Sequence, residues 1–205
     1  MSHKFKKSTR KDRRQARDRQ EVLQAAARLF AELGYAETGM VQIAEAADFS
    51  VGKLYTLFPN KEGLFVNLVS ERFRDMHDIS AAATDPKATP IDQLRQRIRA
   101  ALQFFAEDPH FSQIFMNEFP TLAEGVILSE TQRHAQITAG YLQQAMDQGS
   151  IAVEDPEALA AIISAFISGL VDLTEMRNTP LDPDWVMDYI ERFILKPLEA
   201  PTTSS

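Results

Sequence analysis

Cysteine is absent from all 205 residues, which excludes a disulfide framework and any thiolate metal site. Histidine is scarce, 4 in all with one of them at position 3, so little is left for an imidazole metal centre. No apolar run approaches the roughly 20 residues of a membrane span. The N-terminus is polar and basic, without a hydrophobic export segment, so the expected compartment is the cytoplasm. There is no His-Glu-x-x-His, phosphate-binding loop or nucleophile elbow. A carboxylate-bridged di-iron bundle needs two Glu-x-x-His motifs, and the single example, Glu107 to His110, is interrupted by Pro109. No catalytic residue, metal or cofactor is assigned, and an enzyme is not expected. Strand-like alternation of useful length is also missing.

What is present is apolar content sufficient for a core, 44% of residues, and an uneven distribution of charge. Within residues 1–20, nine lysines and arginines face only Asp12 and Asp18, a net +7; against −7 for the whole chain, the remainder carries −14. A basic arm on an acidic body suits local contact with a polyanion while the body is repelled from it. The alternative for the arm alone is a solvated tail. Arg13, Arg14 and Arg17 are its candidate contacts to phosphates or a minor groove.

The stretch from Thr38 to Lys61 carries two short helical patterns back to back. Met40, Ile43, Ala44 and Ala47 fall at i, i+3, i+4 and i+7, with Thr38 placed to cap the start. Val51, Leu54, Tyr55 and Phe58 repeat that spacing after Ser50, a favourable N-cap, and Pro59 limits the run. Only Asp48 and Phe49 lie between. So short a connection makes the helices cross steeply, a helix-turn-helix with the second helix free to enter a major groove. Before it, Val22, Ala26, Leu29, Phe30 and Leu33 predict a bracing helix from about Arg17 to Leu33, closed by Gly34.

These residues resemble a known family. Leu29-Phe30, Gly34-Tyr35, Thr38, Ile43-Ala44, Ala47, Ser50, Gly52, Leu54-Tyr55, Phe58 and Lys61-Glu62 are similar to the DNA-binding domain of the TetR family of transcriptional repressors, densely so from Val22 to Phe65. Asp48 departs from the glycine usual in the family, at a turn expected to need a left-handed backbone. The resemblance implies DNA contacts at Thr38, Val51, Lys53, Tyr55, Leu57 and Lys61. Gly39 and Ser50 are further candidate DNA-binding residues. Tyr55 and Lys61 would hold phosphates, Lys53 would read guanine O6 and N7, and Thr56 or Val51 would meet a thymine methyl.

Asn60 is placed to cap a fourth helix through Phe65, Phe73 and Met76 to about Ala83. By resemblance it links the head to the body and transmits ligand binding. A break at Thr84 to Pro90 precedes a fifth helix, Ile91 to about Asp108. A short sixth is expected over Phe111 to Phe119, and a long one from about Leu128 to Gly149. Phe104, Phe105, Phe111, Phe115, Met116 and Phe119 are either plain core or, with the family resemblance, the lining of an apolar effector pocket. His134 and Tyr141, with His110, would supply its polar contacts.

The last two helices concern assembly. Leu159 to Leu173 is apolar around most of its circumference, and Trp185, Tyr189 and Phe193 form one line beside Val186, Ile190 and Ile194. Phe166, Leu170, Val186, Tyr189, Ile190, Phe193 and Ile194 are the expected homodimer interface, a four-helix arrangement about a two-fold axis. Burial within one chain is the alternative. The expected fold is all-α: a basic flexible arm over 1–16, a three-helix helix-turn-helix domain over 17–63, a larger helical effector-binding and dimerisation domain over 64–200, and a tail over 201–205. The expected function is a dimeric repressor that binds a double-stranded DNA operator and is released by a small hydrophobic or aromatic molecule. The rival is a DNA-binding architectural protein with the same head and no effector.

Overall fold

The computed structural model describes residues 9–108 and 124–199. The expected sixth helix, pocket residues Phe111, Phe115, Met116 and Phe119, His110 and the tail lie outside the described residues. Two compact units are present: residues 9–70, and residues 71–108 with 125–199.

The first unit contains α1 (Arg10–Leu33), α2 (Met40–Ala46), α3 (Val51–Leu57) and the start of α4 (Lys61–Ala82). Helix α1 begins seven residues before the expected Arg17. Thr9 and Asp12 form a reciprocal capping box, Thr9 N–H donating to Asp12 Oδ2 at 2.9 Å and Asp12 N–H to Thr9 Oγ1 at 3.2 Å. From residue 10 onward the expected flexible arm is therefore helical. Gly34 closes α1 at φ 81°, its N–H bonded to Phe30 O.

Between α2 and α3 the chain makes a Schellman turn: Phe49 N–H donates to Ala44 O at 2.8 Å and Asp48 N–H to Glu45 O at 3.1 Å. Asp48 holds φ 58°, the left-handed position expected from the sequence. Phe30, Ile43, Leu54, Phe58, Leu64 and Phe65 fill the core at 1% exposure or less. Phe30, Tyr35 and Phe65 meet in pairs with centroids 5.1–5.5 Å apart. Because Phe65 packs there, this unit extends past the expected border at residue 63 to Ser70.

The second unit takes the rest of α4, then α5 (Pro90–Glu107), α6 (Glu124–Asp147), α7 (Pro156–Met176) and α8 (Pro183–Ile190), which continues through a π-helical turn, Glu191–Leu195, to Lys196–Leu198. Leu94, Ile98, Leu142, Met146, Ile163, Val186, Ile190 and Leu195 form its core. Arg95 fastens α5 to the chain end, its Nε 2.6 Å from Glu191 Oε1 and its Nη1 2.8 Å from Asp92 Oδ1, with Glu199 as a third partner. No strand is present among the described residues, only an isolated bridge between Ile151 and Glu199.

Helix α7 corrects one sequence expectation. Pro156–Thr174, with mean hydropathy 1.6, is long and apolar enough to cross a membrane by length and composition alone. Ser164, Ser168 and Gly169 interrupt the run without lowering its average much, so no unbroken apolar string stands out. Only 22% of that window is buried within the chain.

Candidate nucleic-acid interface

Helix α3 is anchored by Leu54 and Phe58 and started by Ser50, whose Oγ accepts from Lys53 N–H at 3.2 Å. That leaves Val51, Gly52, Tyr55 and Thr56 exposed on its outer face, with Tyr55 at 49%. Thr56 Oγ1 donates to Lys53 O at 2.6 Å. Gly39 starts α2, its N–H donating to Gln42 Oε1 at 2.7 Å.

The first two turns of α1 place Arg10, Arg13, Arg14 and Arg17 at i, i+3, i+4 and i+7, one helical face. Together with Asp18, Glu21, Asp48, Phe49 and Lys53 they line an open cleft of about 800 Å³ beside the helix-turn-helix. Hydrogen bonds from Thr9 hold the Asp12 carboxyl below its usual range, so this turn keeps an anionic cap. Arg17 pairs with Glu21 at 2.8 Å, both facing solvent. Lys53 Nζ sits 2.8 Å from Asp18 Oδ2 and 4.0 Å from the Phe49 ring centroid, so its ammonium is neutralised at the edge of this basic cleft.

Two expected DNA contacts turn inward instead. Thr38 is 1% exposed and donates from Oγ1 towards Gly34 O (2.8 Å) and Leu29 O (3.2 Å). Its hydroxyl closes the end of α1 and does not cap α2. Lys61 Nζ donates to Tyr35 O (2.7 Å), Thr38 O (2.9 Å) and Ala36 O (3.2 Å), 4.3 Å above the Tyr35 ring. These are carbonyls of the loop between α1 and α2, so in this structure the lysine ammonium is engaged by the fold. Arg19, counted with the basic arm, is likewise a strut: it donates to Leu57 O and Asn67 Oδ1, both at 2.8 Å, and lies 4.3 Å over Phe58.

In the second unit, Phe104 meets Phe105 edge to face at 5.9 Å, and Tyr141 lies under Arg97 at 5.9 Å. His134 faces a residue the sequence reading passed over, His77, with ring centroids 6.0 Å apart. Burial, followed by the nearby charge of Arg133, lowers the His77 pKa, against a hydrogen bond to Glu130 that raises it. Burial, then His77 and Arg97, push His134 down to about 4. A signal for His77 was available: Phe73, Met76, His77 and Ser80 share one face of α4, and a polar ring there needs a partner.

Of the expected dimer residues, Val186 and Ile190 are fully buried in their own chain, and Leu170 and Ile194 nearly so. Val186, Ile190 and Ile194 serve the protomer core because their stripe faces α5 and α7, and Leu170 meets it from α7. The adjacent line is only partly covered: Trp185, Tyr189 and Phe193 meet as tilted rings at 4.9 and 5.7 Å, Phe166 joins Phe193 at 6.4 Å, and Phe193 and Ile162 are each 53% exposed while the other three are half-buried.

A family model described as bacterial regulatory proteins, tetR family, matches residues 22–68. A probable acrEF/envCD operon repressor of Escherichia coli (strain K12) is 30% identical over 75% of this chain and 74% of its own length. An uncharacterized HTH-type transcriptional regulator, YhgD, of Bacillus subtilis (strain 168) is 26% identical over 87% and 95%. Among solved structures, a SmeT–triclosan complex superposes with TM-score 0.72, at 19% identity, over 92% of this chain and 97% of that one.

Proposed function

The chain belongs to the TetR family of bacterial regulatory proteins, DNA-binding regulators and not enzymes, and from that premise we propose that it represses transcription as a homodimer on a palindromic operator, with affinity lowered by a small hydrophobic or aromatic effector. The observation that carries the DNA side is the exposed face of α3 beside the arginine stripe of α1. Val51, Tyr55 and Thr56 offer apolar and hydroxyl contacts, while Arg10, Arg13, Arg14 and Arg17 supply phosphate contacts that fix register without reading sequence. Lys53 reads a base once DNA displaces Asp18 from it.

The half-buried aromatic line of Tyr189 and Phe166, ending in exposed Phe193 on α8 with exposed Ile162 on α7, supports the dimer. Apolar area left open on two adjacent helices is the material of a two-fold helical interface. Two recognition helices would then sit about 35 Å apart, one helical turn, or a multiple of it. For the effector, support comes from the aromatic content of the body and from the SmeT relative bound to triclosan.

Selection of bound sequences from random DNA, followed by titration of the winner at two salt concentrations, tests this reading. An inverted repeat bound by two chains is the expected result. Weak, motif-free binding that vanishes with salt would leave only the arginine stripe at work and overturn it.

A further inference from the structure

Two imidazoles in the helical body take no part in DNA binding. His77 on α4 is 4% exposed, and its Nε2 lies 3.1 Å from Oε2 of Glu130 on α6. A carboxylate only accepts, so Nε2 carries the ring proton and Nδ1 keeps a lone pair. That Nδ1 is buried and has no hydrogen-bond partner among the described residues. A buried acceptor without a donor is destabilising, and a donor carried by a bound molecule would relieve that cost. Protonating the ring would not relieve this, since Nδ1 would become a donor equally without a partner, and burial, with Arg133 and Arg97, disfavours the charge. His134, one turn from Glu130 on the same helix, stands with its ring 6.0 Å from that of His77.

The chemistry of the missing group follows. It must donate a hydrogen bond to Nδ1, which a carboxylate or a fully ionised phosphate does not. It should not be a cation, given Arg97 and Arg133 nearby. A hydroxyl meets both conditions and can also accept from a neutral imidazole N–H. Two hydrogen bonds of about 2.8 Å to one oxygen are long enough to join rings at this spacing. We propose that the effector carries a hydroxyl group that donates to His77 Nδ1 and accepts from His134, making it a phenol or alcohol on an apolar frame. This rests on the effector reading above and specifies its polar end.

The test uses the full chain with para-pentylphenol and its methyl ether, which matches the phenol in shape but has no O–H. Thermal shift and calorimetric titration are read alongside the nitrogen-15 resonances of the histidines. The phenol is expected to raise Tm, to bind about tenfold more tightly than the ether, and to move the His77 Nδ1 resonance. His77→Leu should erase the difference between the two compounds, and His77→Gln, which keeps an acceptor, should restore part of it. If His77→Leu does not fold, the resonance in the parent protein and His77→Gln decide. Equal binding of phenol and ether would overturn the hydroxyl assignment while leaving an apolar effector site in place. Binding of neither, with Nδ1 unmoved, would also overturn it; release from DNA by some other apolar compound would then show the effector reading surviving without it.

Discussion

Replacing Lys61 with methionine keeps the aliphatic stem and removes the ammonium, which separates a folding role from a phosphate contact. The ammonium bonds three backbone carbonyls, those of Tyr35, Ala36 and Thr38, and stacks on Tyr35. A hydrogen bond to a charged group contributes roughly 1.5–3 kcal/mol net. Three bonds sharing one half-buried charge are far from additive, since water can reach some of the freed carbonyls, so we expect a total loss of about 3 kcal/mol. For a chain of this size that lowers Tm by about 6–12 °C. The assay is thermal unfolding followed by circular dichroism, with DNA affinity measured at a temperature where the variant is still folded. At that temperature affinity should match the parent. An unchanged Tm with clearly weakened DNA binding would refute the structural role and return Lys61 to the phosphate backbone.

Asp48→Gly relieves a side chain held at φ 58° in the Schellman turn and should stabilise the head by about 0.5–1 kcal/mol, read from urea unfolding; destabilisation would mean that the Asp carboxylate matters more than the strain. Asp18→Asn frees Lys53 and should raise affinity for any DNA about three- to tenfold at low salt, with the gain shrinking as salt rises; no gain at low salt would remove Asp18 as a competitor. Lys53→Ala should weaken operator binding more than random DNA, and equal loss on both would show that it reads no base. The depressed pKa of His134 means that the unfolded chain takes up its proton first on acidification. Stability from this group is complete above about 6.5 and is lost as pH falls towards 4. His134→Leu should therefore flatten the stability profile over that range by on the order of 2 kcal/mol, and an unaltered profile would place the titration elsewhere.

The helix-turn-helix was legible because every signal for it is local: apolar residues at i, i+3, i+4 and i+7, a serine before α3, and an aspartate where the turn is left-handed. The inward turn of Thr38 and Lys61 was not legible because their partners are backbone carbonyls, which leave no trace in the residue alphabet. The start of α1 was misread although Thr9 and Asp12 spelled a capping box, since a run of arginines resembles a solvated tail. On α8 both neighbouring stripes are apolar, and periodicity alone does not say whether Val186 and Ile190 or Tyr189 and Phe193 face the protomer core. His77 was lost among hydrophobic neighbours on α4, where only its missing partner marks it.

The arginine face of α1 has a further consequence. Like charges three and four residues apart disfavour a helix by roughly 0.2–0.5 kcal/mol per pair, so Arg10, Arg13, Arg14 and Arg17 strain the very turns that carry them. The Thr9 and Asp12 cap and the Arg17–Glu21 pair work against that repulsion. A polyanion lying along the stripe removes it. The boundary of this helix is therefore expected to act as an ionic-strength gauge, fraying in dilute salt, firming as counterions gather, and most complete if a phosphate backbone lies along it. Association then completes a fold as well as a contact, and part of the salt dependence of DNA binding would report helix winding in addition to displaced ions.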